Sequence, residues 1–374
     1  MSADERPAEI SAERRGSRFN TPDWWIYRGT GRPSEGNVLG TLPAPPPWRT
    51  FRGEPPAEDQ SPPPDDGEME RRLGHERFKN DPAVDPEVLD MVNSALYLRR
   101  PLLVTGPPGA GKSSLAFRIS RELGLGRVAR WHITSHTTLK QGQYSYDAIG
   151  RAHAVAARQE MARIAAGGRE PAGVAGIMAD EQIGAFIRLG PLGTVFLPGR
   201  LPRVLLIDEL DKSEADLPND LLGIFEEGTF PIPELERVRN QLPEVEVFTD
   251  DPDRQAVIAG GRVLCHSFPI IVITSNGERE FPPAFLRRCL QLEIQPPDAE
   301  ELAAIAAAHL SNMRNDQLLE LVREFVQSSE RAGGLPTDRL LDAMYLATSG
   351  AYDRNSATWS RLRDALWRQL RSAV

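Results

Sequence analysis

The sequence predicts an α/β protein: a parallel five-stranded sheet with helices on both faces, followed by a small all-helical domain. Three observations predict it. Short apolar runs alternate with helical patterns between about residues 84 and 295. The first such run feeds a glycine-rich turn that opens a helix. After Pro296-Pro297 the strand-like runs stop and amphipathic helical patterns take over. Alternation of this kind argues for a parallel sheet covered on two sides.

Residues 1–66 come first and carry PAPPPW and SPPPDD. A stretch so rich in proline, glycine and charge buries too little apolar area to offset its ordering entropy, and is expected to be disordered or extended. Within it DWWIYRGTG (Asp23 to Gly31) is unusual, because an aromatic cluster in a solvated tail marks a docking motif, for a partner or for the protein's own body. Its bland alternative is a local cluster without a role.

The core is expected over 67–295. Asp85 and Pro86 read as an N-cap and first helical position before VLDMVNSALYL. Five β-like runs follow: LLVT (102–105), RVARWHIT (127–134), RVLLID (203–208), PIIVITS (269–275) and CLQLEI (289–294). Between the second and third, residues 139–200 are too long for a plain connection and read as an insertion. A second insertion, 244–266, reads as a hairpin with Gly260-Gly261 near its turn. Residues 296–374 give three or four amphipathic helices.

Composition bounds the possibilities. The chain has 374 residues, 40% hydrophobic and 26% charged, enough for one large or two ordinary domains. The net charge of −9 argues against a general nucleic-acid binder. Two cysteines, Cys265 and Cys289, form neither a metal spacing nor a disulfide framework and fit a reducing cytosol. No apolar stretch approaches the ~18–20 residues of a membrane span, so no membrane insertion is expected, and the polar N-terminus lacks a signal-peptide core. A cytoplasmic protein is expected. Of 44 basic residues only four are lysines (Lys79, Lys112, Lys140, Lys212), so a lysine here is an informative choice.

The first strand runs into GPPGAGKSS: Gly106, Pro107, Pro108, Gly109, Ala110, Gly111, Lys112, Ser113 and Ser114. The spacing is Gly-x4-Gly-Lys-Ser between a predicted strand and a predicted helix. Glycines let successive backbone N–H groups turn towards phosphate oxygens, and the helix adds its positive end. Lys112 reaches the β- and γ-phosphates, and Ser113 offers a hydroxyl to Mg²⁺. In VLLIDE, Asp208 and Glu209 end a buried strand. Placed beside the loop strand, Asp208 holds Mg²⁺ together with Ser113, and Glu209 polarises a water for in-line attack on the γ-phosphate. A guanine-specific NKxD is missing from the TSN strand end, which favours ATP.

Together GPPGAGKSS, VLLIDE, the strand ending in Ser275-Asn276 and the helical tail resemble AAA+ ATPases over residues 85–374. LGPLG (189–193) and IDELDKSEADLPNDLLGIFEEGTFPIP resemble the MoxR group. The resemblance implies a P-loop NTPase core of three αβα layers, a strand order of 5-1-4-3-2, a helical lid and a homo-oligomeric ring, commonly a hexamer. It implies that the two insertions face the pore or the client. It assigns Asn276 to the polar sensor that orients the attacking water. PPAFLRRC carries the arginine finger, at Arg288, with Arg287 as the competing position, and the finger acts on the neighbouring subunit's γ-phosphate. Arg339, in GLPTDRLLDA, takes the second-sensor position, although the spacing from Gly334 is longer than in many relatives.

Other residues invite a site and are read otherwise. His132 and His136 sit on a strand end, where residues four apart lie too far apart for one zinc ion. His153 belongs to the polar side of an inserted helix. Cys289 precedes an apolar strand and reads as core. DDPDR (250–254) is an acid-rich turn with too few ligands for calcium. Basic LYLRRP is a solvated face.

The function expected is an ATP-driven, chaperone-like remodeller of a partner protein, with a von Willebrand factor A-type partner implied by the resemblance. An ATP-dependent regulatory switch with slow turnover is the alternative. A nucleic-acid motor is disfavoured by the acidic balance.

Overall fold

The structure is a computed structural model and describes residues 22–34, 40, 42–55, 61–74, 84–165, 183–309, 315–332, 335, 337–348 and 357–367. Lys79, Gly334 and part of the first insertion lie outside these residues.

In chain order the helices are α1 (Glu68–Leu73), α2 (Pro86–Leu98), α3 (Lys112–Leu123), α4 (Leu139–Gln143), α5 (Ala148–Ala165), α6 (Pro191–Val195), α7 (Leu217–Glu227), α8 (Pro233–Glu236), α9 (Pro283–Leu286), α10 (Ala299–His309), α11 (Asn315–Ala332), α12 (Thr337–Thr348) and α13 (Ala357–Leu366). The strands are β1 (Leu102–Thr105), β2 (Ala129–His132), β3 (Tyr144–Tyr146), β4 (Ile187–Leu189), β5 (Val204–Asp208), β6 (Thr229–Pro231), β7 (Glu244–Phe248), β8 (Gln255–Ala259), β9 (Arg262–Leu264), β10 (Ile270–Ser275) and β11 (Leu290–Glu293).

The central sheet is parallel, with order β11-β1-β10-β5-β2. Counted among these five strands alone, that is fifth, first, fourth, third, second. The remaining strands belong to the two insertions and their flanks. β5 and β10 are apolar without alternation because both of their faces are covered, as parallel sheets require. Alternate residues supply opposite layers. Leu103, Leu205, Ile207, Ile271 and Ile273 pack on one side with the insertion residues. Leu102, Val104, Leu206, Val272 and Leu292 pack on the other with α2 and α3.

Helix boundaries follow local chemistry. The Asp85 side chain accepts from Glu87 N at 2.9 Å, with Pro86 at the first position of α2. Thr138 and Gln141 form a reciprocal capping box on α4. α7 ends at Gly228, whose φ of +64° is left-handed and whose missing Cβ would lie 2.2 Å from the Phe51 ring.

The insertions meet in one sheet, which sequence inspection did not foresee. β3 pairs with β4, β4 with β7, and β7 with β8. The hairpin is also placed differently. Its turn is 249–254, where Thr249 N bonds to Arg254 O and Asp253 is left-handed. Gly260-Gly261 instead joins β8 to β9, which pairs with β6. Asp251, buried in that turn, holds it in place by a bidentate pair with Arg203 at 2.8 and 2.9 Å and a bond from Arg127 at 3.1 Å.

The described part of the first 66 residues is packed rather than free. Trp25 and Tyr27 are buried in the α2–α3 layer. Asn93 Oδ1 accepts from Ile26 N and Tyr27 N, and Asn93 Nδ2 donates back to Tyr27 O. The Glu122 carboxylate accepts from Arg28 N and Thr30 N. Further on, Phe51 stacks on Phe268 at 5.4 Å and Gly53 N bonds to Cys265 O. Side-chain acceptors on two helices satisfy an extended backbone that composition alone leaves unsatisfied. The aromatic motif therefore docks on the protein's own body.

α10–α13 gather around their own apolar cluster, including Leu302, Phe325, Leu340, Met344 and Trp359. No helix among the described residues is long and apolar enough to cross a membrane.

Candidate active site

The site lies where β1, β5 and β10 end together. Thr105 pairs with Ser275, and His132 with Asp208, so the loop after β1 and the carboxylates after β5 share one edge of the sheet.

Gly106, Gly109 and Gly111 all have positive φ, at 142°, 80° and 87°. At Gly106 a Cβ would lie 2.3 Å from Ile294 O, so the loop needs glycine there for space as well as rotation. Gly111 caps α3, and Lys112 is its first residue, with Ser113 next. Amide N–H groups at that end point outward in a ready anion cradle. Lys112 is buried, and its ammonium donates to Gly106 O at 2.7 Å and Pro107 O at 2.9 Å. Burial lowers its pKa, while Asp211, Asp208 and Glu209 pull the other way and favour the charge.

Asp208 Oδ1 accepts from two hydroxyls, Ser113 Oγ at 2.7 Å and Thr274 Oγ1 at 2.7 Å. Glu209 follows in the left-handed region, at φ 62° and ψ 48°, a costly conformation for a non-glycine residue. Its backbone N donates to Thr274 Oγ1 at 2.9 Å. One threonine hydroxyl thus bridges both acids and fixes the strand end. The Glu209 carboxylate is held by Lys212 Nζ at 2.8 Å. That bond raises the Lys212 pKa.

Asn276 is positioned through Asp211, whose buried Oδ2 accepts from Asn276 N at 2.8 Å and Glu278 N at 3.1 Å. Asp211 Oδ1 has no hydrogen-bond partner among the described residues. Beside it, a groove of about 470 Å³ is lined by His132, Thr134, Asp211, Lys212, Glu278 and Arg279.

Lys112, Ser113, Asp208, Glu209 and the Asn276 backbone therefore converge at this end of the sheet. The arginines do not. Arg287 and Arg288 immediately precede β11, and Leu290 pairs with Leu102 at the start of β1. They lie at the opposite edge of the sheet from the phosphate loop, roughly 13 Å away along a four-residue strand at ~3.3 Å per residue. Arg288 Nε donates to Glu226 at 2.6 Å, and Arg287 Nε to Pro283 O at 3.2 Å. Arg339 Nη1 donates to Leu366 O at 3.2 Å. Two residues earlier, Thr337 Oγ1 donates to Gly109 O at 2.9 Å, bringing the start of α12 onto the loop.

Sequence reasoning missed Thr274, Asp211, Lys212 and Thr337. Lys212 carried a signal, as one of the few lysines. The others show only in three dimensions, because their roles are hydrogen bonds across strands and loops. His132 ends β2 and His136 lies in the loop beyond it. Both cysteines are buried, with their thiols pushed up to about 12.

A glycine-rich loop closing on a helix start, with a hydroxyl bonded to a strand-end carboxylate, defines a phosphate-binding site of the α/β nucleotide-binding class. Residues 101–289 match the AAA domain of the dynein-related subfamily, and the chain belongs to that family of AAA+ ATPases. The solved AAA domain of FIGL-1, in complex with ADP, is similar at 16% identity with a TM-score of 0.31, over 71% of this chain and 65% of that one. The chain thus spans just under two thirds of that domain. The search of curated proteins finds no match.

Proposed function

We propose that the protein binds and hydrolyses ATP as an oligomeric, MoxR-like AAA+ machine that remodels a partner protein. The observation that carries the reading is the 2.7 Å bond from Ser113 Oγ to Asp208 Oδ1, which joins the phosphate loop to the acid-bearing strand.

The loop 106–114 cradles the phosphates through its amides, and Lys112 leaves the Gly106 and Pro107 carbonyls for β- and γ-oxygens. Ser113 and Asp208 offer two hard oxygen donors side by side, a set that suits Mg²⁺. That ion, when bound, neutralises charge on the phosphates. Glu209 polarises the attacking water and Asn276 orients it, with Asp211 fixing the Asn276 backbone. The arginine finger, Arg288 in preference to Arg287, serves the site of a neighbouring copy, since it lies at the far edge of the sheet from its own loop. The C-terminal helices act as a lid. Thr337 already touches the loop, and Arg339 reaches the phosphates as α12 closes. A ring, a hexamer on family grounds, then couples turnover to a client or a von Willebrand factor A-type partner in the cytoplasm.

One observation favours a second reading. The Lys212 bond to Glu209 holds the carboxylate that should meet water, and suits an ATP-dependent switch with slow turnover.

ATP turnover against protein concentration, with subunit mass by light scattering, separates the two. The machine predicts turnover per subunit that climbs with assembly and vanishes in Glu209→Gln. Nucleotide binding with near-background turnover in both proteins supports the switch. Failure to bind ATP would refute both.

A further inference from the structure

β10 is the middle strand of the central sheet, paired with β1 on one side and β5 on the other. Thr274 lies near its end and is 1% exposed. Ile273 pairs with Ile207, so Thr274 stands one step further on, beside Asp208. By alternation it shares the face of Val272, which packs in the layer of α3, the helix that carries Ser113. Branching at Cβ leaves a threonine few side-chain rotamers, so its hydroxyl is a stiff anchor.

That hydroxyl is fully used. Its oxygen accepts the Glu209 N–H at 2.9 Å, and its single proton goes to Asp208 Oδ1 at 2.7 Å. Glu209 depends on such support. Its backbone is left-handed, a conformation that persists where the surroundings over-determine it. Its carboxylate pairs with Lys212, but the two side chains are 28% and 41% exposed, and an ion pair so solvated fixes a position weakly. The bond to Thr274 is what ties the Glu209 backbone to the central strand.

We infer that Thr274 is a positioning residue for hydrolysis: its hydroxyl sets where the Glu209 carboxylate stands relative to Asp208. The inference rests on the reading that this site hydrolyses ATP with Glu209 as the base, and adds to it the group that aims the base. Thr274 acts through the two acids, whereas the loop 106–114 supplies the phosphate cradle. Loss of the hydroxyl therefore slows turnover and spares nucleotide binding.

The test compares Thr274→Val, Thr274→Ser and Glu209→Gln in the full-length protein. Valine keeps the shape and loses the hydroxyl; serine keeps the hydroxyl and loses the methyl. Thr274→Val is expected to lower kcat about 10- to 100-fold, the scale of a misplaced reacting group, with ATP affinity within about threefold of wild type. Thr274→Ser is expected to retain roughly half of the wild-type kcat or more. In the nucleotide-free protein, hydrogen exchange at the Glu209 amide should quicken in Thr274→Val and stay near wild type in Thr274→Ser. If Thr274→Val does not fold, Thr274→Ala, which sets no methyl against Asp208, replaces it with the same expectation. A hydroxyl-free variant with wild-type kcat, or a Thr274→Ser protein as slow as Thr274→Val, would overturn the inference. If Glu209→Gln is inactive in that case, the hydrolytic reading survives without Thr274. If wild type does not turn over ATP, or Glu209→Gln turns it over equally well, the reading fails and the inference falls with it.

Discussion

The phosphate loop and the N-terminal arm are built by opposite means. In the loop, nine consecutive residues carry the structure themselves. Glycines supply the φ values, the helix supplies the amides, and partners such as Asp208 only complete the site. In the arm, the sequence itself supplies little. Its backbone groups bond to Asn93 and Glu122, 66 to 94 residues away. A local motif is legible wherever it occurs, whereas an arm becomes ordered only when distant acceptors are already in place. The two differ in consequence as well: damage to the loop should remove chemistry, and damage to the arm should remove stability.

The sharpest contrast comes from Glu209→Gln. It should keep nucleotide binding and lower turnover by about 10²–10⁴-fold, the range for losing a general base. Isothermal titration and a phosphate-release assay on one sample would show it. Unchanged turnover would remove Glu209 from the chemistry.

Tyr27→Ala is the converse. It empties a fully buried aromatic site and should cost about 3–5 kcal/mol of stability, while nucleotide affinity at a temperature where the protein is folded stays near wild type. Chemical denaturation followed by circular dichroism measures the first, and titration the second. A mutant as stable as wild type would mean that the arm's packing is not maintained in solution.

A smaller effect belongs to Lys212→Met. Releasing Glu209 from an exposed ion pair should raise turnover about two- to fivefold, matching the ~0.5–1 kcal/mol such pairs contribute. A fall in turnover would instead show that Lys212 holds Glu209 in its working position.

The smallest concerns α1, which packs against α3. Glu68 is held down to about 2 by hydrogen bonding from Arg71, assisted by Arg72 and Arg130 and opposed by burial. Its folded pKa is depressed, so its stabilisation is fully present above the ordinary carboxylate range and is lost as pH falls towards 2. Glu68→Gln should therefore flatten the acid limb of a stability-against-pH curve and leave neutral turnover unchanged.

The same contrast explains what the sequence revealed. The five core strands and the glycine-rich loop were legible because each is written in contiguous residues: VLLID as a strand covered on both faces, GPPGAGKSS as a turn with fixed spacing. The merging of two insertions into one sheet was hidden, since β4 meets β7 through the single register pair Arg188 and Phe248, sixty residues apart. Gly260-Gly261 misled, because a glycine pair signals a turn without saying which strands it joins. Thr274 and Asp211 look like ordinary strand and loop residues until their partners are seen. Composition pointed to a free tail at 1–66, yet Asn93 and Glu122, inside two helices, hold its described part.

The central claim is a site shared between copies, and mixing two inactive variants tests it most directly. Glu209→Gln lacks the base but keeps Arg288, and Arg288→Ala has the reverse defect. ATP turnover is measured for each alone and for an equimolar mixture. Each variant near background, with a substantial part of wild-type turnover regained on mixing, is the predicted result. Arg288→Ala as active as wild type, or a mixture as inactive as its components, would contradict it.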